Sequence, residues 1–134
     1  MASIVDVEGI GKTYADKLKA AGVVTTDDLL EKGGAPKGRK ALAEATGISE
    51  KLVLEWVNHV DLYRIKGVGS EYADLLEEAG VDTVVELGNR NPANLHKMLV
   101  DTNAKKELVR KLPTEDQVKD WVEQAKKMDR KVSY

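Results

Sequence analysis

Two short stretches hold residues whose type and spacing suit the binding of an anion. Gly9-Ile10-Gly11 is followed by Lys12 and Thr13, and fifty-eight residues later Gly67-Val68-Gly69 is followed by Ser70 and Glu71. Glycine tolerates positive φ and lets another backbone come close. A helix starting directly after such a turn begins with N–H groups that have no intrahelical acceptor. Those donors and the positive end of the helix dipole attract a negatively charged oxygen. Each turn with its following helix start is therefore a candidate anion site, with Ile10 and Val68 expected to point inward. A tight turn between packed helices needs glycine with or without a ligand, so the spacing alone leaves the ligand open.

The residues after each turn separate the two copies. Lys12 stands where a first helical turn begins, and a cation there opposes the dipole by about 0.3–1 kcal/mol. A bound phosphate would reverse that cost. Glu71 at the second turn satisfies its helix end with a carboxylate and would repel a phosphate. The first turn is thus expected to bind, and the second to be mainly structural or to dock a protein.

Other chemistry finds little support. There is no cysteine, which excludes disulfides and thiolate chemistry. His59 and His96 fall on different predicted helices with no partner cluster, and are expected at surface or helix-end positions. The acids Asp16, Asp27, Asp28, Glu77 and Glu78 occupy ordinary solvated helical positions, not the convergent set a two-metal nuclease needs. Trp56 and Trp121 are expected in the core. No catalytic residue, metal site or cofactor is expected, and the chain is read as non-enzymatic.

The elements that must position these residues repeat. Residues 7–33 align with 65–91, sharing among others Tyr14/Tyr72, Ala15/Ala73, Leu18/Leu76 and Gly22/Gly80. A second block pairs 49–60 with 114–125, setting Trp56 opposite Trp121, and extra residues sit between the blocks of the second copy around "VDTNAKKELVRK". Apolar spacing predicts a helix over 12–21 ended by Gly22, and a short helix capped by Thr25 or Thr26. A "GGAPKG" loop, a helix over 37–46 stopped by Gly47, and a Ser49-capped helix over 50–62 follow. Asn91-Pro92 and Pro113-Thr114 read as further helix starts. No segment alternates with a period of two, so the fold class is all-α. No apolar run approaches the roughly 18 residues that span a bilayer.

Charge is unevenly spread. The chain has a formal net charge of −2, yet 7–40 carries an excess of Lys and Arg, 65–91 is strongly acidic, and 92–134 is again basic.

The element "hxGhGxxhAxxL", with h apolar, occurs twice and resembles the helix-hairpin-helix motif. The resemblance implies contact with nucleic-acid phosphates without base reading. It puts forward Gly9, Ile10, Gly11, Lys12 and Thr13 with Gly67, Val68 and Gly69, and nearby Lys17, Lys37, Arg39 and Lys40 as added charge. "RKALAEATGISEKLVLEWVN" (39–58) also resembles a helix-turn-helix, which would present Lys51, Glu55 and Asn58 to a groove. "LKAAGVVTTDDLL" is similar to a phrase in the C-terminal domain of the bacterial RNA polymerase alpha subunit. Over nearly its whole length the chain resembles an uncharacterised bacterial family catalogued as domain of unknown function 4332.

These observations predict two tandem pseudo-symmetric helix-hairpin-helix units, 1–64 and 65–134, packed as one all-α protein. Helix 50–62 is expected to lead the second hairpin, and helix 114–128 to pack back on the first unit. That return would also bring Lys126, Lys127, Arg130 and Lys131 to the basic face. The expected function is weak, sequence-independent binding of nucleic acid, double-stranded DNA first. The alternative is a protein-interaction adaptor using the acidic second hairpin. The protein is expected to be cytoplasmic and monomeric, with no membrane partner and no small-molecule substrate.

Overall fold

The computed structural model describes residues 3–7 and 9–134. Eight α-helices form among them: α1 (Gly11–Ala20), α2 (Thr26–Gly33), α3 (Pro36–Thr46), α4 (Glu50–Leu62), α5 (Ser70–Glu78), α6 (Val84–Gly88), α7 (Pro92–Lys106) and α8 (Glu115–Lys126). A 3-10 turn, Ile4–Asp6, precedes α1, and extended pairing among the described residues is limited to one isolated bridge, Ser3 to Thr25. The all-α class follows.

Most helix starts are fixed by local side chains. Thr25 and Asp28 form a reciprocal capping box at α2, as do Thr114 and Gln117 at α8. Thr83 caps α6, Asn91 caps α7 ahead of Pro92, and Ser49 Oγ accepts the Leu52 N–H at α4. Each such cap satisfies a donor the helix cannot, and typically contributes about 1 kcal/mol. Asp28 Oδ2 also accepts the N–H groups of Val24 and Thr25, while Glu86 Oε2 accepts that of Asp82. α3 ends on Gly47 in the left-handed region.

The chain divides into two units, Met1–Asp61 with Lys131–Tyr134, and Leu62–Arg130. In the first, α3 packs on α1 and α2, and the 3-10 turn packs on α1. Ile4, Ile10, Ala15, Leu18, Val23, Leu29, Leu42, Val53, Trp56 and Val57 are buried there. In the second, α8 packs on α6 and α7, and α5 on α7. Its core includes Leu62, Val68, Leu75, Leu76, Leu87, Leu95, Leu99 and Trp121.

One expectation about helix packing is corrected. Helix 114–128, observed as α8, belongs to the second unit, where its Trp121 lies against Tyr72 with ring centroids 5.2 Å apart. Residues 50–61 of α4 belong to the first unit, where Trp56 lies 5.1 Å from Tyr14. Each tryptophan therefore covers the glycine turn of its own unit. A Cβ built on Gly9 would lie 3.5 Å from Trp56 Nε1, and one on Gly67 would lie 3.1 Å from Trp121 Nε1.

What returns to the first unit is the last four residues alone. The Ser133 N–H donates to Gly34 O at 2.8 Å, Val132 is buried, and Tyr134 Oη lies 3.4 Å from Asn58 Oδ1. The passage is tight: a Cβ on Gly34 would clash with Lys131 O. Lys126, Lys127 and Arg130 lie in the second unit, and only Lys131 joins the first.

Candidate functional site

Each glycine turn is anchored by its apolar middle residue. Ile10 is 2% exposed and Val68 5% exposed, whereas Gly9, Gly11, Gly67 and Gly69 are exposed. The inward plug holds the turn, and its own amide is used: the Ile10 N–H donates to Val7 O at 3.0 Å, and the Val68 N–H to Ile65 O at 3.1 Å. Those two amides are therefore removed from the candidate contacts. The candidate donors that remain at the first turn are the N–H groups of Gly9 and Gly11 and those of Lys12 and Thr13 in the first turn of α1.

The helix that follows each turn has no side-chain cap. α1 has no acid in its first turn and presents exposed Lys12 and Thr13. A Cβ on Gly11 or Gly69 would meet nothing within 4 Å, so open space faces both helix starts.

The two turns are not equivalent. Gly11 takes φ +63° and itself begins α1, a conformation that suits glycine. Gly69 is extended, at φ −103° and ψ −164°, and α5 begins one residue later. At the second turn Gln124 on α8 clamps Lys66 at both backbone groups: its Oε1 accepts the Lys66 N–H at 2.8 Å, and its Nε2 donates to Lys66 O at 3.0 Å. Glu71 is exposed in the first turn of α5.

The charged residues expected around the first turn divide. Lys12, Lys17, Lys37 and Lys40 are exposed. Arg39 is buried, and its guanidinium is spent on backbone: Nη1 donates to Gly33 O and Gly34 O, both at 2.9 Å, and Nη2 to Ser133 O at 2.6 Å. Burial pulls its pKa below the ordinary value, opposed by the nearby charges of Tyr134 and Glu50. Arg39 is a structural clamp, and its place among the phosphate contacts is withdrawn. No local signal reveals this, because one of its three acceptors lies 94 residues away.

Other sequence readings meet the geometry as follows. Asn58, offered as a groove contact in a helix-turn-helix, is buried, while Lys51 and Glu55 are exposed. His59 is buried in the last turn of α4, the helix-end place expected for it. His96 Nε2 lies 3.0 Å from Pro113 O. Trp56 and Trp121 are buried. No described helix is long and apolar enough to cross a membrane.

The family described as "Domain of unknown function (DUF4332)" matches residues 8–128, nearly the whole chain. The protein belongs to that family. The match covers both glycine turns and ends before the four residues that return to Arg39. No curated protein and no solved structure matches the chain.

Proposed function

We propose that this DUF4332 protein is a non-enzymatic, sequence-independent nucleic-acid-binding module that takes duplex backbone phosphates at the start of α1. One observation carries the reading: the start of α1 is exposed, lacks a side-chain cap, and places Lys12 where α2, α4, α5, α6 and α8 place an acid. A cation in that position is unfavourable until an anion arrives. Lys17, Lys37 and Lys40 add exposed positive charge to the same unit. Three or four phosphate contacts correspond to a log–log salt slope of about −3, and to a Kd of about 10 µM or weaker at physiological salt.

The test is fluorescence anisotropy with a labelled random-sequence duplex at several salt concentrations. Lys12→Glu should weaken binding by about tenfold and flatten the salt slope by about 1. No binding by the wild-type protein at 50 mM salt, an assay condition of roughly the low-salt regime, overturns the proposal.

A second reading is an adaptor whose acidic second hairpin docks a basic protein. It is favoured by the concentration of carboxylates there. Burial raises the Asp82 pKa above the ordinary range, and the charges of Glu86 and Glu77 push it further. Wild-type protein that ignores duplex at low salt would support this reading.

A further inference from the structure

The second copy of the repeat holds residues the first lacks, and the structure shows what they build. They end α7 and form the irregular segment 107–114 before α8. This segment is held in one conformation by side chains of its own unit. Asn103 grips Val109 on both sides, its Oδ1 accepting the Val109 N–H at 3.0 Å and its Nδ2 donating to Val109 O at 3.3 Å. The Tyr72 hydroxyl donates to Lys111 O at 3.0 Å, and His96 Nε2 meets Pro113 O. Val109 and Pro113 are buried as anchors.

The fixed main chain displays its cations outward. Lys105, Arg110 and Lys111 are exposed, and no ion pair engages them among the described residues, while Lys106 pairs with Glu78. Tyr72 lies in the first turn of α5, so its bond to Lys111 sets the loop beside the second glycine turn. That helix start carries Ser70 and Glu71 where the first carries Lys12 and Thr13, and the neighbouring loop supplies positive charge from outside it.

We propose that this inserted loop, with Lys105, Arg110 and Lys111, is a second cationic contact surface for the phosphates of a nucleic-acid backbone. The proposal rests on the nucleic-acid reading above but not on the first turn. Cations carried on a main chain already held in place lose less backbone freedom on meeting a polyanion than those on a mobile loop do. A phosphate backbone offers repeated charges and releases a counterion for each one neutralised. The second unit would then bind through its loop, and the earlier view of its hairpin as mainly structural would apply to the turn alone.

The experiment is the same duplex titration over 50–200 mM salt, roughly the range in which counterion release dominates. It compares Arg110→Glu/Lys111→Glu with Lys119→Glu/Lys127→Glu, a pair of exposed α8-region cations that changes net charge equally, and with Lys12→Glu. Circular dichroism verifies that each variant folds. The loop pair should weaken binding by at least about tenfold at the lowest salt and flatten the slope by about 2, with a much smaller effect from the α8 pair. Equal effects from the two pairs overturn the inference, since net charge alone would then account for binding. A silent loop pair with an effective Lys12→Glu overturns it and leaves the first-turn reading standing. An effective loop pair with a silent Lys12→Glu does the reverse. Poly-glutamate that competes as well as duplex at equal charge overturns it in favour of an acidic protein partner. Absence of wild-type binding at the lowest salt removes both proposals.

Discussion

Gly67 and Gly69 stand two residues apart and should respond very differently to the same methyl group. Gly67 has φ +99°, and its Cβ would lie 3.1 Å from Trp121 Nε1. An L-residue in a left-handed conformation costs about 1–2 kcal/mol. Trp121 is 2% exposed and lies tilted against Tyr72, so it has little room to give, and overpacking of this kind adds about 1–3 kcal/mol. Gly67→Ala should therefore destabilise the second unit by about 2–5 kcal/mol. Gly69→Ala puts its methyl where nothing lies within 4 Å, on backbone any residue adopts. The weaker N-cap preference of alanine and the entropy it removes from the unfolded chain are each about 0.5 kcal/mol and opposed, so the net change should be near zero. Thermal and urea denaturation followed at 222 nm read the difference. For a unit of this size each kcal/mol is about 4–8 °C in Tm, so Gly67→Ala should fall by roughly 10 °C or more while Gly69→Ala stays within about 3 °C. Equal losses from the two would refute the argument that Trp121 and the positive φ set the requirement for glycine.

Two further outcomes follow from the same contacts. Arg39→Met keeps the buried stem but leaves Gly33 O, Gly34 O and Ser133 O without their charged donor, and should cost the first unit about 3–5 kcal/mol in urea unfolding. A change under about 1 kcal/mol would show that the returning tail contributes nothing in solution. Asp28 and Asp82 should give stability opposite pH dependences. The Val24 and Thr25 N–H groups hold Asp28 below the ordinary carboxylate range, so its contribution is present above the unfolded value and is lost as pH falls through the lower folded value. Burial and the neighbouring acids raise Asp82, so a penalty develops as pH rises through that raised value. Asp82→Asn should raise Tm at pH 7, with the gain disappearing below about pH 4, and Asp28→Asn should lower Tm at pH 7 by an amount that shrinks in acid. A pH-independent difference for either variant contradicts the assignment.

The sequence by itself determined the helices and the two turns. Thr25, Asn91-Pro92 and Thr114 mark helix starts because a cap acts within about four residues of chain. Gly22 and Gly47 mark helix ends for the same reason. The inward places of Ile10 and Val68 are legible because one apolar residue between two glycines can hold the turn in only one way. What lies beyond that range was decided by tertiary structure. Whether α8 packs on the first unit or the second depends on which apolar faces meet after the chain has turned, and no local spacing encodes it. Arg39 reads as one more surface cation among Lys37 and Lys40 until the distant Ser133 carbonyl arrives to occupy it. Arg110 and Lys111 read as part of a mere insertion until Asn103, Tyr72 and His96 fix the loop that displays them. Helix boundaries are settled by neighbours in sequence, whereas burial, pairing and exposure are settled by neighbours in space.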